Sequence, residues 1–483
     1  MLLQFGRGGP VVNGTQLVDR SIVVTIVPGD AAYGSEQTVT VLDTSPPRAR
    51  VLATIDLKLV SPAYRQLLAA SGQDDDAVRR STMMIIELEG TRGDGPTLAP
   101  ASSPPTPLAM GDSLTIGPAF PFPNLLERKF ESKYTATVSC IIPPMVLLDA
   151  SVAVGGLEGA PLCIENETVG VLGEAVSQSI NGTRWIVGWD LSSIDDYLGT
   201  QLAGNETGTS EMDTSQRRGR QLSPPAPCPL GSRSSIHGGL SRLVSVHVDN
   251  TFATGFVIGC RGSDNIICTN AHVVPKRLNG RPVQVRHTID GRVLGAIRWA
   301  SFEGTLDLAF LLVPDLHDTR DTHDMYDMRI QPWSAKSTVP STREQLIGRP
   351  IFSLGFPGTF NPLHRSPLAG PKLASGRVTS VLNDDMGACC FTTDARIVDG
   401  NSGSPIIDAR DGRLVGMASS NAVIVSTDLP RPRTYHPELN FCIPGTLIQE
   451  TLEQCLAEGP GWAHRSLAAR KIDRLVSGAS SKL

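Results

Sequence analysis

Apolar positions along the chain fall mostly in short runs broken by glycine and proline. Arg20–Val27 reads RSIVVTIV and Ser81–Leu88 reads STMMIIEL, and Val244–His247, Gly255–Ile258 and Ala309–Val313 repeat the pattern. Runs this short, bounded by turn formers, predict strands rather than helices. Their recurrence predicts an all-β barrel or sandwich architecture. Helical spacing appears only near the end, over Ile448–Leu456 and Ser466–Val476, where a closing helix is expected.

Three segments break the pattern. Ser71–Asp76 is acidic, Pro96–Pro107 is rich in Pro and Ser, and 203–239 holds Gly, Ser, Thr, Arg and Pro with few large apolar residues. The last is the strongest domain boundary, because such composition cannot bury a core. A repeat spans it. DARIVDGNSGSPI, starting at Asp394, and DASVAVGGLEGAPL, starting at Asp149, align with one inserted residue. The alignment pairs Gly156 with Gly400, Glu158 with Ser402, Gly159 with Gly403 and Pro161 with Pro405. Two copies of one barrel fold are expected.

A length of 483 residues fits two or three domains. The hydrophobic share of 40% allows substantial cores, and a net charge of −5 gives no electrostatic footprint for nucleic acid. No apolar run approaches the roughly 18 residues of a membrane helix, so no membrane partner is expected. The first residues, MLLQFGRGGPVV, lack the apolar stretch of a secretory signal. Sequons begin at Asn13, Asn166, Asn181 and Asn205, and matter only if the chain is secreted. The nine cysteines include no CxxC pair, and the residue after His272 is Val273, not cysteine. Reduced thiols are expected.

Gly400-Asn401-Ser402-Gly403-Ser404-Pro405 carries the chemistry. Glycines on both sides of a serine suit a tight turn, in which the amides of Gly400 and Ser402 could form an oxyanion hole. His272 ends a β run in TNAHVV, and Asp307 opens the apolar run DLAFLLV. A serine hydroxyl needs a base to attack a carbonyl near neutral pH. His272 would take its proton, and Asp307 would fix the imidazole tautomer. The chain order His, Asp, Ser is that of chymotrypsin-like enzymes. A chymotrypsin-like double β-barrel over 237–455 is therefore expected, preceded by a degenerate trypsin-like β domain over 1–202 and a linker over 203–236. The first histidine is His237, and Glu158 stands at the nucleophile position. The first half is expected to be catalytically silent.

TGFVIG, TNAHVV, DLAFL, LGFPG, SGRVTS, TDARIVDGNSGSP and GMASS occur in the order found in HtrA/Deg-type proteases, which the second half resembles. The resemblance implies a serine endopeptidase without metal or other cofactor. It places Arg396, six residues before Ser402, at the base of the substrate pocket, Ala418, Ser419 and Asn421 on its wall and Asp399 on its rim. A basic Arg396 pointing inward argues against cleavage after Lys or Arg, an outward-turned Arg396 being the equal alternative. The pocket residues together imply a small or polar residue before the cleaved bond. One departure is Ser404, where the family usually has a second glycine. The acidic, His-containing stretch 315–327 has no standard metal spacing and reads as a solvated loop.

Ser481-Lys482-Leu483 ends the chain as a peroxisomal import tripeptide would. A Deg-type half, a silent half and this terminus together are similar to the peroxisomal, or glyoxysomal, processing proteases. That resemblance implies an enzyme of the peroxisome matrix that removes targeting presequences from imported proteins, and self-processing. Its partners would be matrix protein substrates and the import receptor, with homo-oligomerisation compatible. Two other readings are a general HtrA-like quality-control protease and a silent docking scaffold. Fewer than about 40 residues follow the barrel, too few for an added peptide-binding domain.

Overall fold

The computed structural model describes residues 2–5, 11–16, 22–27, 39–41, 48–56, 61–70, 82–88, 108–119, 132–150, 157–165, 167–177, 184–191, 231–249, 251–274, 283–288, 291–302, 306–314, 343–358, 369–384, 387–425 and 433–459. Among them, strands dominate, as the short apolar runs require. The chain divides into two compact units, 1–180 with 184–229, and 181–183 with 230–483.

The first unit holds two barrels. One comprises β1 (Leu2–Phe5), β2 (Val11–Gln16), β3 (Ile22–Val27), β4 (Val39–Val41), β5 (Arg48–Asp56) and β6 (Thr82–Leu88). The other comprises β7 (Ser113–Ala119), β8 (Ser132–Ile142), β9 (Met145–Asp149), β10 (Pro161–Ile164), β11 (Glu167–Ser177) and β12 (Arg184–Asp190). Helix α1 (Pro62–Ala70) supplies Tyr64, which meets Trp189 edge to face at 5.2 Å.

The second unit also holds two barrels, after a helix α2 (Gly231–Leu240). The third barrel comprises β13 (Leu243–Val248), β14 (Thr251–Arg261), β15 (Asp264–Thr269), β16 (Val283–His287), β17 (Val293–Phe302) and β18 (Leu308–Val313). The fourth comprises β19 (Pro350–Gly355), β20 (Lys372–Asp384), β21 (Gly387–Thr393), β22 (Pro405–Asp408), β23 (Leu414–Val425) and β24 (Arg433–Pro444). A short helix α3 (Arg343–Leu346) precedes it and α4 (Gly445–Glu458) follows.

All four barrels share one connectivity. Numbering each barrel's strands 1 to 6 in chain order, the order around the barrel is 1-2-3-6-5-4, closed by strand 1 against strand 4. Every barrel also slips register between strands 5 and 6, at Val51/Ala53, Leu172/Ala175, Arg298/Ala300 and Ala418/Ser420. A bulge adds local bend and twist, which a small barrel needs to close. Alternate side chains fill the interiors: Val244, Val246, Val257, Ile267 and Leu311 in the third barrel, Ile351, Phe391, Ile406 and Val415 in the fourth. β-Branched and aromatic residues suit such half-buried pleats.

The structure moves two expected boundaries. Residues 231–236, expected in the linker, begin α2, whose Ile236 is buried and whose Gly239 lies against Leu354 and Ile407. The apolar contact stabilises a segment whose composition alone reads as unstructured. The closing helix starts at Gly445, earlier than its periodicity suggests, because Pro444 ends β24 and can precede a helix but not continue a ladder. Ser466–Val476, Ser71–Asp76, Pro96–Pro107, 203–230, 315–327 and Ser481–Leu483 lie outside the described residues.

Candidate active site

β15 ends at Thr269, and a single helical turn, Ala271–Val273, presents His272 at the barrel rim. Asp307 precedes β18, which pairs with β15, so the sheet brings the two side chains together. His272 Nδ1 lies 2.8 Å from Asp307 Oδ2 and 3.0 Å from Oδ1, and the His272 N–H donates to Oδ1 at 2.9 Å. Asp307 also holds the turn through its carbonyl, which accepts from the Ala271 N–H at 3.0 Å and from Asn270 Nδ2 at 3.0 Å. Its φ of +50° is uncommon for a side chain with a Cβ, and these bonds hold it there. A carboxylate on Nδ1 selects the tautomer with its proton there. Nε2 is then free to accept a proton.

Ser402 sits in the turn between β21 and β22. Gly400 and Gly403 both have positive φ, +88° and +84°. A Cβ at 403 would lie 2.1 Å from the Thr254 carbonyl, so only glycine fits. The Gly403 N–H donates to Ala418 O, and the Ala418 N–H returns to Ser404 O. The Ser402 hydroxyl has a 3.5 Å contact to the Ser419 carbonyl and, among the described residues, no hydrogen bond to His272. Catalytic hydrogen bonds are often long before substrate arrives.

The two amides expected to form an oxyanion hole differ from their neighbours in hydrogen bonding. Among the described residues, neither the Gly400 nor the Ser402 N–H meets an acceptor, whereas the Asn401 and Gly403 N–H groups between and after them are bonded to Val398 O and Ala418 O. The Asp399 carbonyl accepts from the Gly358 N–H at 2.5 Å. A trans peptide is planar, so its N–H, that of Gly400, points the opposite way.

The expected pocket residues separate. Arg396 is half-buried and Asp399 exposed. Ala418 is packed in the fourth barrel's core with Ala395, Ile397 and Cys442, and it pairs with Cys442 across β23 and β24. The Ser419 hydroxyl donates to Asp307 Oδ2 at 2.7 Å, and the Ser419 carbonyl lies 3.5 Å from the Ser402 hydroxyl. Asn421 pairs with Asn440 across β23 and β24, and its side chain lies outside the described residues. Thr254, Asn270, Gly358 and the Ser419 hydroxyl are functional features that sequence reasoning did not assign. Thr254 and Gly358 stood inside the quoted blocks TGFVIG and LGFPG, which was their signal.

The first unit repeats the nucleophile turn. Gly159 has φ +82°, its N–H donates to Leu172 O, the Ala160 N–H donates to Leu157 O, and the Leu172 N–H returns to Ala160 O. Gly403, Ser404 and Ala418 make the same three bonds. Glu158 therefore occupies the place of Ser402. Gly156 lies outside the described residues.

Among the described residues no cluster of His, Cys, Asp and Glu could hold a metal ion, and no helix is long and apolar enough to cross a membrane. Burial raises the pKa of the Cys268 and Cys442 thiols well above the ordinary value, with Cys390 adding to the rise at Cys442.

Residues 253–417 match the trypsin-like peptidase domain family. A stretch of 107 residues is 33% identical to the peroxisomal leader peptide-processing protease of Mus musculus, covering 22% of this chain and 17% of the mouse protein. The corresponding protein of Homo sapiens is 33% identical over 85 residues, 18% of this chain and 14% of the human protein. Among solved structures, an inactive form of Rv3671c from M. tuberculosis H37Rv is 20% identical, covers 47% of this chain and 92% of that chain, and gives a TM-score of 0.33. The HtrA-type protease AlgW with a decapeptide is 17% identical, covers 48% and 69%, and gives 0.33. The segment that matches the trypsin-like peptidase domain lies within the paired barrels of the second unit and holds His272, Asp307 and Ser402.

Proposed function

We propose that this chain is a serine endopeptidase that removes N-terminal targeting presequences from proteins imported into peroxisomes. The observation that carries the enzymatic reading is the pairing of His272 Nδ1 with Asp307 Oδ2 at 2.8 Å, beside a turn with two unmatched N–H groups. In the reaction, the Ser402 hydroxyl rotates toward His272, passes its proton to Nε2 and attacks the scissile carbonyl. The Gly400 and Ser402 N–H groups receive the charge that develops on the carbonyl oxygen. The imidazolium, stabilised by Asp307, then protonates the leaving amine, and an ester on Ser402 remains. Water attacks that ester with His272 again as base, and the acid product leaves.

The presequence substrate is supported by the names of the mouse and human relatives and by Ser481-Lys482-Leu483, which would bind the peroxisomal import receptor. The first unit supports or regulates the second, since it has Glu158 in place of a nucleophile and residues 1–230 contain no histidine. The test is incubation of the full chain, and of Ser402→Ala, with a presequence-bearing peroxisomal matrix protein. Cleavage at one discrete site by the unmodified chain alone supports processing. Cleavage at many sites in unfolded protein supports quality control. Absence of a covalent adduct with a peptidyl phosphonate would sink the enzymatic reading.

A further inference from the structure

Thr254 lies within β14 of the third barrel and is fully buried. It does not face substrate, yet it spends every polar group on the nucleophile turn and its neighbours. Its N–H donates to Ser402 O at 2.9 Å. Its hydroxyl donates to Gly400 O at 2.9 Å and accepts from the Phe356 N–H at 3.0 Å. Its carbonyl accepts from the Thr269 hydroxyl at 2.8 Å.

The consequence follows from the peptide planes of the turn. The four carbonyls from Asp399 to Ser402 are all engaged. Gly358 N–H holds the first, the Thr254 hydroxyl the second, Ser404 N–H the third and Thr254 N–H the fourth. Thr254 therefore fixes two of the four planes, and it is the member that belongs to the other barrel. Gly400 has no Cβ to resist a peptide rotation. A Cβ there would lie 2.4 Å from Phe356 O, so the space beside it is filled by the same segment that donates to Thr254.

We infer that Thr254 is a positioning residue: its hydroxyl holds the Gly400–Asn401 peptide, the plane between the two that carry the Gly400 and Ser402 N–H groups, and so keeps those two groups facing the reacting carbonyl. This inference rests on Ser402 being the nucleophile. Without the hydroxyl, Gly400 O and Phe356 N–H lose a buried partner, and the peptide gains a reason to turn toward other donors. Transition-state stabilisation falls, while ground-state binding, which does not use those amides, stays.

The experiment compares the full chain with Thr254→Val, which keeps the shape and removes the hydroxyl, and Thr254→Ser, which keeps it. Turnover is read per site titrated with a peptidyl phosphonate, on the presequence-bearing substrate. Loss of an oxyanion donor typically costs about 10²–10³ in kcat, and Thr254→Val is expected to lose about 10²-fold with KM within twofold. Phosphonate inactivation should slow in parallel, and Thr254→Ser should recover to within about threefold. A purely structural role would lower the titratable fraction and Tm and leave kcat per titrated site unchanged. That result overturns the inference, as does unaltered turnover in Thr254→Val. If Thr254→Val does not fold, Thr254→Cys, with a weaker donor of similar size, must fall clearly below Thr254→Ser in kcat; equality with Thr254→Ser overturns the inference. Loss of activity in Ser402→Ala with full activity in Thr254→Val refutes only the role of Thr254. Activity retained in Ser402→Ala refutes the nucleophile assignment and the inference with it.

Discussion

The Ser419 hydroxyl donates to Asp307 Oδ2 at 2.7 Å, the same oxygen that receives His272 Nδ1. Asp307 thus accepts from the His272 N–H, from the imidazole and from a serine in the other barrel. Those bonds fix the carboxylate plane, and the carboxylate plane fixes the ring. Ser419→Ala removes one of them without opening a large cavity. We expect kcat/KM to fall about tenfold, near the 1.4 kcal/mol of one such bond, with KM little changed. Steady-state kinetics of Ser419→Ala against Ser419→Thr checks this, since threonine keeps the donor. Equal activity in both variants would show that His272 and the main chain suffice.

Gly403 is a case where geometry leaves no tolerance. A methyl group at this residue would lie 2.1 Å from the Thr254 carbonyl and 2.6 Å from the Thr269 hydroxyl, at a backbone φ of +84°. Gly403→Ala is expected to lose at least about 3 kcal/mol of stability and essentially all activity. Thermal unfolding should show a clear drop in Tm, and a variant that keeps its Tm would contradict the packing described. Gly159→Ala in the first unit meets the same positive φ, and should destabilise that unit without touching the catalytic rate per titrated site.

The candidate trio stands out in the sequence because each member sits inside a contiguous block: TNAHVV, DLAFL and GNSGSP. The strand-rich fold was legible from runs such as Ser81–Leu88. What the sequence could not show is closure. The 1-2-3-6-5-4 order depends on register slips such as Arg298/Ala300, which arise from non-local pairing and leave no local mark. The same reason hid Thr254 and Ser419. Thr254 acts on Gly400 across 146 positions and Ser419 on Asp307 across 112, through single hydroxyls in apolar strands. Strand position alone does not tell which way a hydroxyl at a bulge such as Ser419 points.

Acid stability offers a separate test. His247 is buried in β13, bonded to Ser245 Oγ at 2.8 Å, and burial, with Arg286 adding to it, lowers its pKa from 6.5 to about 4. The folded form therefore binds its proton later than the unfolded chain. Above pH 6.5 the group contributes nothing to the pH dependence. As pH falls from about 6.5 to about 4, the unfolded state gains protons first and stability is lost, by about 3 kcal/mol at most. His247→Gln cannot titrate. Its urea midpoint should fall less steeply over that interval than that of the unmodified chain, and parallel curves would remove His247 as a cause.

Ser404 stands where HtrA/Deg-type proteases usually carry glycine, and the structure shows what accommodates it. Its side chain is fully buried, and among the described residues its Oγ has no hydrogen-bond partner. A Cβ at Gly355 would lie 2.1 Å from that Oγ and 2.8 Å from Asn401 Oδ1. Glycine at 355 is therefore the complement of serine at 404. Ser404→Ala removes an unsatisfied hydroxyl and should be neutral or stabilising by up to about 1 kcal/mol, with activity retained. Gly355→Ala should destabilise by about 2–3 kcal/mol through overpacking. Combined with Ser404→Gly it should recover part of that loss, because the Oγ contact is gone and the Asn401 contact remains. A double-mutant cycle on unfolding free energy measures the coupling, and the pair should depart from additivity by about 1 kcal/mol or more. Strict additivity would mean that Ser404 turns away from Gly355 in solution, and the account of its accommodation would fall.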